Sequence, residues 1–253
     1  MFAGLLALAT SFGVVTTPVA PLRFKFVITT SQEVDLSAMG QAKMTGDVAA
    51  VVFVSVTMSD SGAGQLAHIV VDSMTVTPNG TMAQQFDASL AVAAKSAFYH
   101  VYVVGGKVQG TPKPSIAENQ AMVLFGQAVQ MMFPGSTKAG LKVGDTYSDT
   151  SSTSTTSEAG TNTTSSIVAW TVKGTDGDAM VFEGASTGKM SVDGGQNAIT
   201  GSNKGTRTMT STAKGPVKVA TLKSDIDVAV VPAGMSDVIP VKGASTVTIT
   251  QLN

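Results

Sequence analysis

From Leu22 to Leu36 apolar and polar positions alternate with few faults: Leu22, Phe24, Phe26 and Ile28 fall on one face, Arg23, Lys25, Thr29, Ser31, Glu33 and Asp35 on the other. A period of two is the mark of a strand buried on one side only. The run from Ala42 to Met58 repeats it, with Met44, Val48, Val52, Val54, Val56 and Met58 sharing a face. Gly62 to Gly64 then supplies a reversal into a third alternating run, Gln65 to Thr77. The pattern predicts that long antiparallel strands open the fold.

The period changes after Thr81. Thr81-Met-Ala-Gln84 has the spacing of a capping box, in which a hydroxyl and an amide satisfy donors that a first helical turn leaves free. Met82, Phe86, Leu90, Ala93 and Ala97 follow at helical spacing, so a helix is predicted from about Thr81 to Ala97. Phe98 to Val104 reverts to a strand closed by Gly105-Gly106. Ser115-Ile-Ala-Glu118, directly after Pro114, is a second capping box, and the residues from Ala121 to Phe133 are apolar on most faces. This predicts a deeply buried second helix over Ser115 to Phe133, ended by Pro134-Gly135.

Between Asp145 and Ser166 the chain is a serine and threonine tract around Glu158-Ala-Gly160. Threonine favours strands and the tract has no proline, so it reads as a solvent-exposed hairpin rather than a linker. Turn signals continue at Asp176-Gly177, Asp193-Gly194-Gly195 and Lys214-Gly215-Pro216, separating strand-like runs at Ile167 to Val172, Met180 to Glu183, Val217 to Leu222 and Val228 to Val231. Thr246 to Thr250 alternates once more. The predicted class is α+β: one large, curved, mainly antiparallel sheet, half-barrel-like, with two helices packed against it. Residues 21–253 are taken as a single β-rich domain.

Composition narrows the function classes. Apolar residues make up 43% and charged residues 13%, which is core-forming material and not the composition of a disordered chain. The net charge is −1 and the arginines are only Arg23 and Arg207, so no basic stripe exists to neutralise a phosphate backbone. Nucleic acid is not an expected partner. The absence of cysteine removes disulfides, thiolate metal sites and thiol nucleophiles together. Thirteen methionines suit a soft, deformable interior. Met1 to Ala20 carries no ionisable side chain and opens with the apolar run Phe2 to Ala9, which reads as a signal peptide or a retained N-terminal anchor. The expected location is the periplasm or the extracellular space, with attachment to the membrane through residues 1–20 as the alternative.

Candidate chemistry is sparse. His68 and His100 are the histidines, both inside predicted strands, and neither has a nucleophile or a metal-spaced neighbour. Asp176-Gly-Asp178 with Glu183 superficially matches a calcium loop, but the spacing fails and a β-turn is the better reading. Asp225 and Asp227 share a strand face and read as solvated charge. No phosphate-binding loop, nucleophile elbow or dinucleotide fingerprint is present. The chain is therefore expected to be no enzyme, with no cofactor and no metal.

Phe133-Pro-Gly followed by Leu141-Lys-Val-Gly-Asp-Thr-Tyr147-Ser-Asp149 resembles the proline, Val-Gly-Asp and aromatic signature of a family of exported bacterial β-rich proteins of unknown function, in which tryptophan usually stands where this chain has Tyr147. At the level of fold analogy, long strands around internal helices also resemble the half-barrels of periplasmic lipoprotein carriers, though fold alone does not carry function. Two readings follow. In the first, the protein is a non-enzymatic envelope protein binding an apolar or lipid-like ligand, lined by Phe86, Leu90, Met122, Phe125, Val129, Met132 and Trp170. In the second it is a structural or accessory subunit that docks onto a larger membrane-associated protein complex.

Overall fold

The computed structural model describes residues 20–252 apart from 82, 84–90, 93, 111, 117–119, 135–139, 158–159, 194–196, 213–214 and 235. Eleven strands form one antiparallel sheet: β1 (Leu22–Val34), β2 (Met44–Ser61), β3 (Gly64–Gly80), β4 (Phe98–Val104), β5 (Lys107–Gln109), β6 (Thr146–Ser157), β7 (Gly160–Asp176), β8 (Ala179–Asp193), β9 (Asn197–Ser211), β10 (Val217–Pro232) and β11 (Ile239–Gln251). Their spatial order is β5-β4-β3-β2-β1-β11-β10-β9-β8-β7-β6. The first and last strands therefore pair at the middle of the sheet, from Phe24 opposite Gln251 to Val34 opposite Val241. Two meandering wings run outward from that seam, and β5 and β6 are the edges.

Most of these strands are far longer than the five or six residues usual in globular proteins, and β2 runs for 18. Such length is possible because the alternation is sustained: β1 buries Phe24, Phe26 and Ile28, and β2 buries Ala50, Val52, Val54 and Val56. In β3 a bulge at Asp72, between the pairs Val54 with Val71 and Phe53 with Ser73, changes the parity, so that Val71, Met74 and Val76 still reach the apolar face.

One helix of the described residues has more than a single turn, α1 (Gln120–Met132). It packs on β1 and β10 and buries Met122, Phe125, Val129 and Met132. Phe125 meets the edge of Phe26 at 5.1 Å and of Tyr99 at 5.6 Å, and the Tyr99 hydroxyl donates to the carbonyl of Met122 at 3.1 Å. That bond satisfies a buried polar atom that would otherwise cost stability.

The expectation of two helices packed on the sheet is corrected here, and the fold is a dominant antiparallel sheet. Ala91 and Val92 are helical and Ala94 to Ser96 form a turn; most of the expected first helix lies outside the described residues. Both capping boxes fail at their hydroxyls, for one physical reason. The Thr81 hydroxyl accepts from the backbone N–H of Thr45 at 2.9 Å and donates to the Thr45 carbonyl at 2.8 Å, so it extends the β2–β3 ladder beyond Gly80. Ser115 does the same beside β4: its hydroxyl accepts from the N–H of Phe98 at 3.0 Å, and its own N–H donates to the Phe98 carbonyl at 2.8 Å. Hydroxyls that could cap a helix are equally able to finish a strand pair. The tract from Asp145 to Ser166 is a hairpin, β6 against β7, with Ser157 opposite Gly160.

Candidate binding face

The register aligns residues of successive strands into rows on the face that α1 covers. The lowest complete row is Phe26, Ile249, Ala220, Met209, Phe182 and Val172, all buried. Above it run Ile28, Val247, Leu222, Arg207, Gly184, Trp170 and Tyr147. The third row is small and polar: Thr30, Ser245, Ser224, Gly205, Ser186, Val168 and Asp149. The fourth continues that belt with Gln32, Gly243, Ile226, Asn203 and Gly188.

Beyond the belt the face turns apolar again. Val34, Val241, Val228 and Met190 stand in the next row beside Gly201, and Ile239, Val230, Ile199 and Val192 in the one after. All eight of these apolar side chains are half-buried and none is fully buried. Side chains in this region lean sideways onto glycines: a Cβ on Gly201 would stand 2.8 Å from Val228 Cγ2 and 3.1 Å from Met190 Cγ. The result is an apolar surface on the rows beyond the belt.

Arg207 marks the boundary between the buried rows and the belt. Its Nε is buried without a hydrogen-bond partner, and among the described residues the guanidinium makes no ion pair. Burial lowers its pKa from the ordinary arginine value, and the charge of Asp149 acts in the opposite direction. Nearby on the same face, Phe182 meets the rings of Trp170 and Tyr147 edge-on at 6.3 and 6.5 Å. Burial, with Asp149 adding, pushes the Tyr147 phenol up to about 12.

The residues expected to line a ligand site are placed as follows. Met122, Phe125, Val129 and Met132 lie on α1 and Trp170 on β7, all within one apolar cluster with Phe26, Tyr99 and Phe182. Phe86 and Leu90 lie outside the described residues. Sequence reasoning missed Arg207, because its strand, β9, has only a faint alternation.

The opposite face of the sheet is rich in Thr, Ser, Lys and Asp. Two shallow depressions indent it, of about 410 Å³ along Lys204, Lys223 and Asp225 and about 510 Å³ along Thr29, Asp47 and Thr77, meeting at Ala244 and Thr246. On the same side β3 and β4 set His68 directly opposite His100, with ring centroids 4.7 Å apart and the Phe98 ring about 5 Å from each. Burial, then the neighbouring His100, lowers the His68 pKa, and its Nδ1 is buried without a partner. Asp72 accepts from the Ser55 hydroxyl at 2.8 Å. Among the described residues no group of three His, Cys, Asp or Glu side chains could hold a metal.

In sequence the chain matches no protein-family model and no curated protein. In structure it is similar to Pseudomonas aeruginosa OpdQ, at 7% identity and a TM-score of 0.27 over 92% of this chain and 98% of that one. It is similar also to Pseudomonas aeruginosa OccK5 (OpdH), at 7% identity and a TM-score of 0.28 over 92% and 99%. With no family model or curated protein behind them, the resemblances to an exported β-rich family and to lipoprotein-carrier half-barrels are not retained, and neither is the periplasmic or extracellular location. At 7% identity the likeness brings no function or residue role to this chain.

No described helix is long and apolar enough to cross a membrane.

Proposed function

We propose that this protein binds an apolar, lipid-like ligand on the layered face of its sheet. One observation carries the reading: eight half-buried apolar side chains on β1 and β8 to β11 form a second apolar patch beyond the polar belt, on the face that α1 covers at its other end, with no described helix over them. A contiguous apolar surface of that kind is uncommon on a protein that binds nothing. The buried cluster of Met122, Phe125, Val129, Met132 and Trp170 supports the face from the helix-covered end and is a candidate for the deeper part of the site. Methionine-rich packing suits a ligand of variable shape.

Native purification of the full chain followed by mass spectrometry tests this. Lipid retained at a stoichiometry near one supports the reading, and protein free of lipid counts against it. A second reading, an accessory subunit of a membrane-associated complex, is favoured by the edge of β6, twelve residues long with β7 as its one neighbour in the sheet. Such an edge offers a row of backbone donors and acceptors to an added strand. Stoichiometric protein partners, lost when proline replaces Ser152 or Ser154, would support it.

A further inference from the structure

The lipid-binding reading leaves open what part of a ligand the face would select, and Arg207 bears on that. We infer that Arg207 is an anion-recognition residue: it receives the carboxylate or phosphate of an acidic amphiphile whose chain lies over the outer apolar rows. This inference rests on the proposed function and refines it.

Three features of the site converge. Arg207 is the only cationic residue in the rows from Phe26 to Ile239, so a ligand on this face meets a single positive centre. Its guanidinium has no ion pair among the described residues, and Nε is buried and unpartnered. A planar guanidinium without an ion pair is matched to a carboxylate or phosphate oxygen pair. The row immediately above supplies Ser186, Ser224 and Ser245, whose hydroxyls suit the remaining oxygens of an acidic group, and the Ser186 hydroxyl sits close over Gly205, 2.9 Å from where a Cβ there would stand.

Geometry then sets where the chain goes. Successive rows on one face are two residues apart, so the span from Arg207 to the Val228 row is about 20 Å at the rise of a strand. A long unbranched acyl chain covers that length. It would cross the belt over Gly243, Gly188 and Ile226 and end on Val228 and Val241. The nearby acid, Asp149, lies in the same row as Ser186 on the far side of β7 and makes no contact with the guanidinium short enough to be an ion pair.

The test uses stearate and methyl stearate as probes against the full chain, the Arg207→Gln variant and the Arg207→Lys variant. The expected result is stearate bound about 10- to 100-fold more weakly by Arg207→Gln, as for loss of a charge-assisted hydrogen bond. Methyl stearate should bind all three alike, and Arg207→Lys should recover part of the loss. Equal stearate affinity in a folded Arg207→Gln protein overturns the anion role while leaving apolar binding intact. Failure of both probes to bind the unaltered protein overturns the binding reading itself. If Arg207→Gln does not fold, stearate labelled with carbon-13 at its carboxyl and bound to the unaltered protein decides the matter. A carboxyl that titrates below its ordinary pKa supports the guanidinium contact, and one that titrates above it contradicts that contact.

Discussion

The ring of Trp170 lies against the backbone of Gly184, its partner across the β7–β8 ladder, so closely that a Cβ on Gly184 would stand 2.7 Å from Trp170 Cε3. Glycine is required there by the ring rather than by backbone conformation. Gly184→Ala should destabilise the protein by about 1–3 kcal/mol, the usual cost of overpacking a filled interior. Equilibrium denaturation would measure it, and an unchanged midpoint would show that Trp170 can move aside.

Thr81 and Thr45 are joined by two hydrogen bonds through a single hydroxyl. Thr81→Val keeps the shape and removes both bonds, so it should lower stability by about 1 kcal/mol. It should also speed hydrogen exchange at the amide of Thr45. Exchange at that amide equal to the unaltered protein's would mean that water replaces the hydroxyl without loss.

His68 carries a depressed pKa because burial, and then His100, disfavour its charged form. The unfolded chain therefore binds this proton more readily than the folded one. Stability contributed by neutral His68 is present above the ordinary histidine pKa of about 6.5 and is lost as the pH falls below it. Thermal melts between pH 7.5 and pH 5 should show the midpoint falling, and His68→Gln should flatten that fall. An identical slope in the variant would remove His68 from the account.

Tyr147 behaves in the opposite sense, since its phenol is pushed up to about 12. An unfolded tyrosine ionises near pH 10, so the native state loses stability as the pH rises from about 10 toward 12. Absorbance titration comparing the unaltered protein with Tyr147→Phe should assign to Tyr147 an ionisation well above the ordinary tyrosine range. Ionisation near pH 10 would show the ring to be solvated.

Much of the sheet was legible because its first strands alternate so regularly: Phe24, Phe26 and Ile28 announce a buried face that the structure bears out, and β4 spans Phe98 to Val104 in both. The capping boxes misled because a threonine or serine hydroxyl serves a strand end as readily as a helix start, and only the fold decides which backbone group comes near it. β9 was missed because Gly201, Gly205 and polar residues hide its period: the glycines receive their neighbours' side chains in place of their own. Arg207 was hidden for the same reason. Its position among Leu222, Gly184 and Trp170 is a product of register, which no single strand's sequence contains.

The central claim, that the layered face receives a lipid-like chain, is tested most directly by photolabelling with a diazirine-bearing fatty acid and mapping the adducts by peptide mass spectrometry. The account predicts labelling on β8 to β11 at residues such as Met190, Ile199, Val228 and Val241, competed away by unlabelled stearate. Adducts confined to the opposite face, around Thr29, Thr246 and Lys223, or labelling that stearate does not reduce, would contradict it.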